Sequence, residues 1–216
     1  RDVYLRTTRY VSLLTIPASL CIMAFASDFI HGFYGDKWAP SIAPIQLLGI
    51  YGLARSIAAN MGNVFKASGK PQWLTTIAAV RLSVMAALLY PATRYYGIVG
   101  VSVLSAAVAV VDFFVSMALT HRIVRHSSAA FLVMLSPILV NALLATAVAK
   151  LAFRYCGFLP LIARFLAAGA LLGVVYGALV WITDSDVRGL ARVAWREGWR
   201  LWRGRASRGP RERKAF

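Results

Sequence analysis

Mostly apolar residues fill six stretches of the chain, 10–29, 44–65, 73–93, 98–120, 129–152 and 160–182, with short polar segments between them. About 20 helical residues, rising about 1.5 Å each, cover the ~30 Å hydrocarbon core of a bilayer. Each stretch has that length. None alternates as an outer-membrane barrel strand does, and all are too long for buried strands. The pattern therefore predicts an all-α integral membrane bundle of six transmembrane helices. The connections carry turn chemistry: Gly32 to Pro40, then Ser68, Gly69, Lys70 and Pro71, then Tyr96 and Gly97, then Cys156 and Gly157. So few residues separate the third and fourth stretches that they must form an antiparallel hairpin. Pro17 and Pro137 lie inside stretches and are expected to kink them.

After Ile182 the pattern changes. Val187, Leu190, Ala191, Ala194, Trp195, Leu201 and Trp202 share one helical face, and Arg188, Arg192, Arg196, Arg200 and Arg203 share the other. Val193 and Trp199 stray from the apolar side. Over 187–203 this is the pattern of a basic interfacial helix lying on anionic membrane lipid. The Arg, Gly and Pro composition of 204–216 predicts disorder. The expected organisation is a transmembrane bundle over 1–183 and a basic cytoplasmic tail over 184–216.

Composition agrees with a membrane class. Hydrophobic residues are 59% of the chain, charged residues only 15%, and mean hydropathy is +0.65. Too few charges are present to cover a soluble domain of this length. A formal charge of +16 would suit a nucleic-acid binder, but ten of the 24 Lys and Arg follow Ile182. The charge is a local feature beside a membrane span, and no nucleic-acid partner is expected. The chain opens at Arg1 with neither an initiator Met nor a signal-peptide pattern, which reads as a piece of a longer protein.

Orientation follows from the Lys and Arg of alternate loops. Arg1, Arg6, Arg9, Lys66, Lys70, Arg122 and Arg125 fall on one side, with the tail. Lys37, Arg94, Lys150, Arg154 and Arg164 fall on the other. The first set is the larger before the tail is added, so both termini are expected in the cytoplasm, in a multi-pass protein of the plasma (inner) membrane. Tyr34, Trp38, Tyr95, Tyr96 and Tyr155 then gather at the outer interface.

Three charges lie inside stretches: Arg55 in the second, Arg81 in the third and Asp112 in the fourth. Charges at such depth are costly unless they face a partner or a cavity, and so are functional candidates. Counting about 1.5 Å per residue from the cytoplasmic ends puts all three ~12–15 Å deep. One reading is a structural Arg81–Asp112 ion pair holding the hairpin. Arg55 would then lack an acidic partner in this chain and be free to meet an anion. Asn60 and Asn63, on the cytoplasmic half of the second stretch, suit either sugar hydroxyls or interhelical hydrogen bonds, and Asn141 is a weaker candidate. Cys21 and Cys156 are badly placed to pair. His31, His121 and His126 lie in or near loops on opposite sides, so no metal-ligand or nucleophile cluster forms, and neither an enzyme nor a cofactor is expected. Gly169, Gly173 and Gly177 form a small-residue stripe expected to pack against a helix of the same chain.

Phe33, Tyr34, Gly35, Asp36, Lys37 and Trp38, then Pro40, Pro44, Gln46, Leu47 and Leu48, then Lys66, Ala67, Ser68, Gly69, Lys70 and Pro71, form a pattern of loop and helix-end residues. With Tyr96, Gly97 and Gly100 after it, this resembles the bacterial polysaccharide and lipopolysaccharide (O-antigen, exopolysaccharide) flippases of the multidrug/oligosaccharidyl-lipid/polysaccharide exporter superfamily. The resemblance runs from about Arg6 to Arg125 and more loosely through the last two stretches. It implies the C-terminal bundle of a two-bundle transporter, completed by an N-terminal bundle. It also implies that the cargo is a lipid-pyrophosphate-linked oligosaccharide, moved outward by alternating access. Arg55, Arg81, Asp112, Asn60 and Asn63 are then its substrate-binding candidates. Export of a drug or a peptidoglycan precursor, and a membrane-embedded glycosyltransferase or polymerase, are the alternatives. The last would need a larger outer loop than the one around Asp28 to Pro40.

Overall fold

A computed structural model describes residues 2–124, 128–157 and 160–183. The interfacial helix expected over 187–203, and the tail as a whole, lie outside the described residues. Contacts divide the chain into Arg1–Tyr176 and Gly177–Phe216. Every described element is helical: α1 (Asp2–Phe29), α2 (Ile42–Ala67), α3 (Gln72–Val124), α4 (Ser128–Tyr155) and α5 (Leu161–Thr183), with short helical turns Ile30–Tyr34 and Asp36–Ser41 between α1 and α2. Helices α1 and α4 run through Pro17 and Pro137 without interruption.

Among the described residues, five helices are long and apolar enough to cross a membrane, against the six separate stretches of the sequence pattern. The difference lies in α3, whose 53 residues would make a rod ~80 Å long if straight. It is not straight. A rod would hold Arg81 and Asp112 ~46 Å apart, yet their side chains meet at 3.1 Å. The reversal falls at Gly97, the one residue of α3 outside helical geometry, with φ +56° and ψ −142°. That backbone is open to glycine at little cost and strained for any residue with a Cβ. We call 72–96 the first arm of α3 and 98–124 the second.

The turn from α2 into α3 is also local chemistry. The Lys70 amide donates to Phe65 O (3.0 Å) and the Gly69 amide to Lys66 O (3.2 Å), with Gly69 at φ +68°. This is the Schellman stop that glycine favours after a helix.

Helix α2 lies between α1 and α3, and α1 in turn packs on α4. In lipid, association depends on close packing rather than on expulsion of water. Small residues supply it: Ala54, Ala58 and Gly62 are buried along α2, and a Cβ on Gly49 would strike the Met23 side chain. One apolar cluster joins α1, α2 and α4 through Ile16, Ile57, Met61, Phe131, Leu135 and Ile138. A second, with Phe25, Ala149, Phe153 and Ala168, seats α5 against α1 and α4. Tyr176 adds a hydrogen bond from its hydroxyl to Leu13 O (2.9 Å). Leu82, Val133 and Leu166 are each about 70% exposed, an arrangement suited to lipid and untenable in water. The chain is a multi-pass membrane protein.

The glycine stripe departs from expectation. A Cβ built on Gly169 or Gly173 meets no heavy atom within 4 Å, so neither packs closely on a described helix of this chain. The helix seats itself through Leu161, Phe165, Ala168 and Leu172 instead.

Gly97→Val should cost about 1–3 kcal/mol, because the reversal then forces a branched side chain into a backbone region reserved for glycine. Gly52→Ala, where a Cβ meets nothing within 4 Å in mid-helix, is the neutral control. Thermal unfolding of the detergent-solubilised protein reads both. Equal stability of the two variants would contradict a reversal that depends on Gly97.

Candidate functional site

Asp112 sits on the second arm of α3, about 95% buried at its side chain. Its Oδ2 accepts two charge-assisted hydrogen bonds, from Arg81 Nη1 on the first arm (3.1 Å) and from Arg55 Nη1 on α2 (3.2 Å). The expected Arg81–Asp112 pair is present. The expectation that Arg55 lacks an acidic partner in this chain is not met. Depth counting placed the three charges at one level but gave no direction around each helix. Helix α2 turns Arg55 toward the hairpin, so one carboxylate serves two guanidinium groups.

The cluster keeps a surplus of one positive charge, with Asp112 Oδ1 buried and bonded to no described residue. Arg55 and Arg81 retain 40% and 29% side-chain exposure, so their remaining N–H groups are within reach of a ligand. They face a cavity of about 200 Å³ between α2 and α3, lined also by Asn63, Lys66 and Ser116. Lys66 raises the surplus to two. Fixed donors in a pocket of net positive charge suit an anion with several oxygens, since arginine presents a planar fork of donors.

The remaining candidates divide. Asn63 lines this cavity. Asn60 turns its amide onto its own helix, donating to Ser56 O (3.1 Å). Asn141 is buried in α4 and does not line the cavity. Cys21 and Cys156 are both unpaired thiols.

A second ionic centre escaped the sequence pattern. Lys150 of α4 pairs with Asp28 of α1, donates to Ala24 O (2.8 Å) and stands 5.2 Å from the centre of the Phe25 ring. Beside it, the Arg164 guanidinium stacks 4.4 Å over Phe153 and donates to Phe153 O (2.9 Å). The signal was available. Lys150 lies five residues before the end of α4 and Asp28 one before the end of α1, so both fall near the same end of the bundle. Asp36, at the neighbouring turn, pairs with His31 (2.7 Å).

Comparison with known proteins finds similarity over a portion of the chain. A protein described as an uncharacterised membrane protein in the cps region of Klebsiella pneumoniae is 27% identical over 100 residues, 46% of this chain and 21% of that protein. The teichuronic acid biosynthesis protein TuaB of Bacillus subtilis (strain 168) is 23% identical over 143 residues, 66% of this chain and 30% of TuaB. The chain spans less than a third of the length of either relative. No family model and no solved structure matches it.

The shared carboxylate makes a specific energetic prediction. Arg55→Ala or Arg81→Ala alone leaves Asp112 one guanidinium, so each single loss should be well under half of the loss on removing both. Removing both leaves a buried, unpaired carboxylate, at a cost of about 3–5 kcal/mol. Thermal denaturation of the two single variants and the double variant closes a cycle. Additive losses would show that the two arginines do not act on one acid.

Proposed function

We propose that this chain is the C-terminal bundle of a transporter that moves lipid-linked polysaccharide units outward across the bacterial inner membrane. The observation that carries the reading is the Arg55–Asp112–Arg81 cluster, deep among apolar helices and facing a pocket of net positive charge. Charge at that depth marks a path for an ionic cargo. The two relatives supply context: one belongs to teichuronic acid biosynthesis by its name, the other to a cps region. Both descriptions fit a membrane step in polysaccharide synthesis or export.

In this reading each arm of α3 crosses the bilayer, giving six spans with both termini in the cytoplasm. The cationic pocket then opens toward the cytoplasmic half, where a lipid diphosphate is loaded. Arg55 and Arg81 bind its oxygens, Lys66 adds charge at the mouth, and Asn63 bonds the first sugar. Asp112 holds both arginines in place and neutralises them in part between cargoes. An N-terminal bundle supplies the opposite wall. Anionic membrane lipid holds the basic tail.

Export in cells lacking the chromosomal gene tests the cargo role. Arg55→Ala is expected to abolish polysaccharide export at normal protein level, because Arg81 still neutralises Asp112. Arg55→Lys keeps the charge without the planar fork and should retain some of the activity. Full export by Arg55→Ala at normal abundance would remove the cargo site.

Orientation is tested separately. In a background with Cys21 and Cys156 replaced by Ser, single cysteines at Lys37 and Arg94 should react with an impermeant maleimide from outside. One at Lys70 should react only after the membrane is opened. Labelling of Lys70→Cys in intact cells would reverse the orientation.

A further inference from the structure

Away from the cationic pocket, a groove of about 730 Å³ separates α2 from α4. Toward the Lys66 end the two helices share the apolar cluster of Ile57, Met61, Phe131 and Leu135 with α1. Toward the Lys150 end they part, and α1 floors the gap with Leu20 and Met23. Leu47 and Ile50 form one wall, Leu143 and Ala147 the other. The polar groups of the lining gather at one end. Lys150 gives two of its three N–H groups to Asp28 and Ala24 O, and its side chain is 40% exposed, so the third is within reach of a ligand. Gln46 spends one amide N–H on Met23 O and keeps the other. Thr146 lies one turn further in, about 6 Å by helical rise. It is buried, and its hydroxyl has no partner among the described residues. Arg154, exposed, follows Lys150 one turn on along the same face of α4.

We infer that this groove binds an anionic glycerophospholipid of the surrounding bilayer, with its phosphate on Lys150 and acyl chain between α2 and α4. The inference does not depend on the transport reading above. Two observations choose this occupant, and the first is depth. Helix α4 has 28 residues. Their length of about 42 Å, centred on a ~30 Å hydrocarbon core, overhangs it by ~6 Å at each end. Lys150 lies about 7–8 Å in from Tyr155 and so stands at the hydrocarbon boundary, within reach of lipid phosphate. The acyl ester of a glycerophospholipid sits a few bonds below its phosphate, which is the level of Thr146. The orphan hydroxyl then has a carbonyl to meet. Deeper still the lining is apolar, as an acyl chain requires. The second observation is charge. Lys150 and Arg154 against Asp28 leave one positive charge at the mouth, the complement of one phosphate. An apolar protein helix in the same place would leave the Thr146 hydroxyl and the third Lys150 N–H without acceptors. The bound lipid ties α2 to α4 at the end where the groove holds them apart.

The test uses the full-length protein, delipidated in detergent, with binding of dioleoyl phosphatidylglycerol followed by native mass spectrometry. Ala147→Trp fills the groove from an exposed wall position. Denying burial to even two methylenes should weaken binding at least about tenfold. Thr146→Val keeps the shape and removes one hydrogen bond, for a loss of about fivefold. Asp28→Asn combined with Lys150→Met removes the ammonium without leaving an acid alone, and should weaken binding at least about tenfold. Leu82→Trp adds the same bulk at an exposed apolar position outside the groove and should change nothing. If Ala147→Trp does not fold, Thr146→Val and the paired charge change are held to the same readings. Binding that ignores the groove variants, or that Leu82→Trp weakens as much, overturns the site. A parent protein that binds no phosphatidylglycerol overturns it too, and gives the groove to a protein segment.

Discussion

One carboxylate oxygen, buried between two helices and holding two guanidinium groups, sets the geometry of the half of this bundle that carries the cationic pocket. In lipid there is no expulsion of water to drive helices together, so specific polar contacts carry weight that they lack in a soluble core. Asp112 fixes the second arm of α3 against the first through Arg81 and against α2 through Arg55. Three helical segments are thereby held at one register. The level of the cationic pocket and the pairing of the two arms both follow from that oxygen. A single pair would have given the same register for the hairpin alone. The second arginine extends it to α2 and leaves the cluster with spare positive charge.

The two ends of the bundle are built differently. Toward the end that carries Phe29 and Tyr155, Phe25, Phe29, Phe33, Phe153 and Phe165 form an aromatic cluster with rings 4.8–6.2 Å apart, which meets the Lys150–Asp28 pair through Phe25. Gln46 adds a hydrogen bond from α2 to Met23 O (3.2 Å). Edge and tilted ring contacts add to packing beyond the area they bury. Here Lys150 and Asp28 balance each other. The opposite half carries the cationic pocket, where one carboxylate faces two arginines and Lys66.

Much of this was legible in the residues, for reasons that differ by feature. Length and apolarity alone define the helices, because a bilayer imposes both. The reversal at Gly97 was legible because Tyr96 and Gly97 lie between stretches that are each long enough to span. It was less plain that the helix would continue to the glycine on both sides, so that the hairpin has almost no loop. Counting residues from the helix ends gave the common level of Arg55, Arg81 and Asp112, since rise per residue is nearly constant. It could not give the direction in which Arg55 points, because α2 has small residues on several faces and its rotation is settled by packing at Gly49, Ala54 and Gly62. For Lys150 and Asp28 the shared level was legible in the same way, and only the facing of the two side chains was not. The glycine stripe of α5 misled because small residues permit close approach without requiring it, and α5 found its contacts through Phe165 and Leu172 instead.

The near-absence of a loop at Gly97 bears on how the protein is made. Chain leaving a ribosome enters the membrane in order, and a span can be released alone only if the next connection is long enough to wait on the far side. If each arm crosses the bilayer, a one-residue reversal gives no such pause, and the two arms of α3 must be released together. An isolated Arg or Asp at the centre of a span costs roughly 2.5–3.5 kcal/mol during insertion. Delivered as a folded hairpin, Arg81 and Asp112 enter already neutralised by each other, and the tight glycine turn becomes a condition for biogenesis as well as for shape.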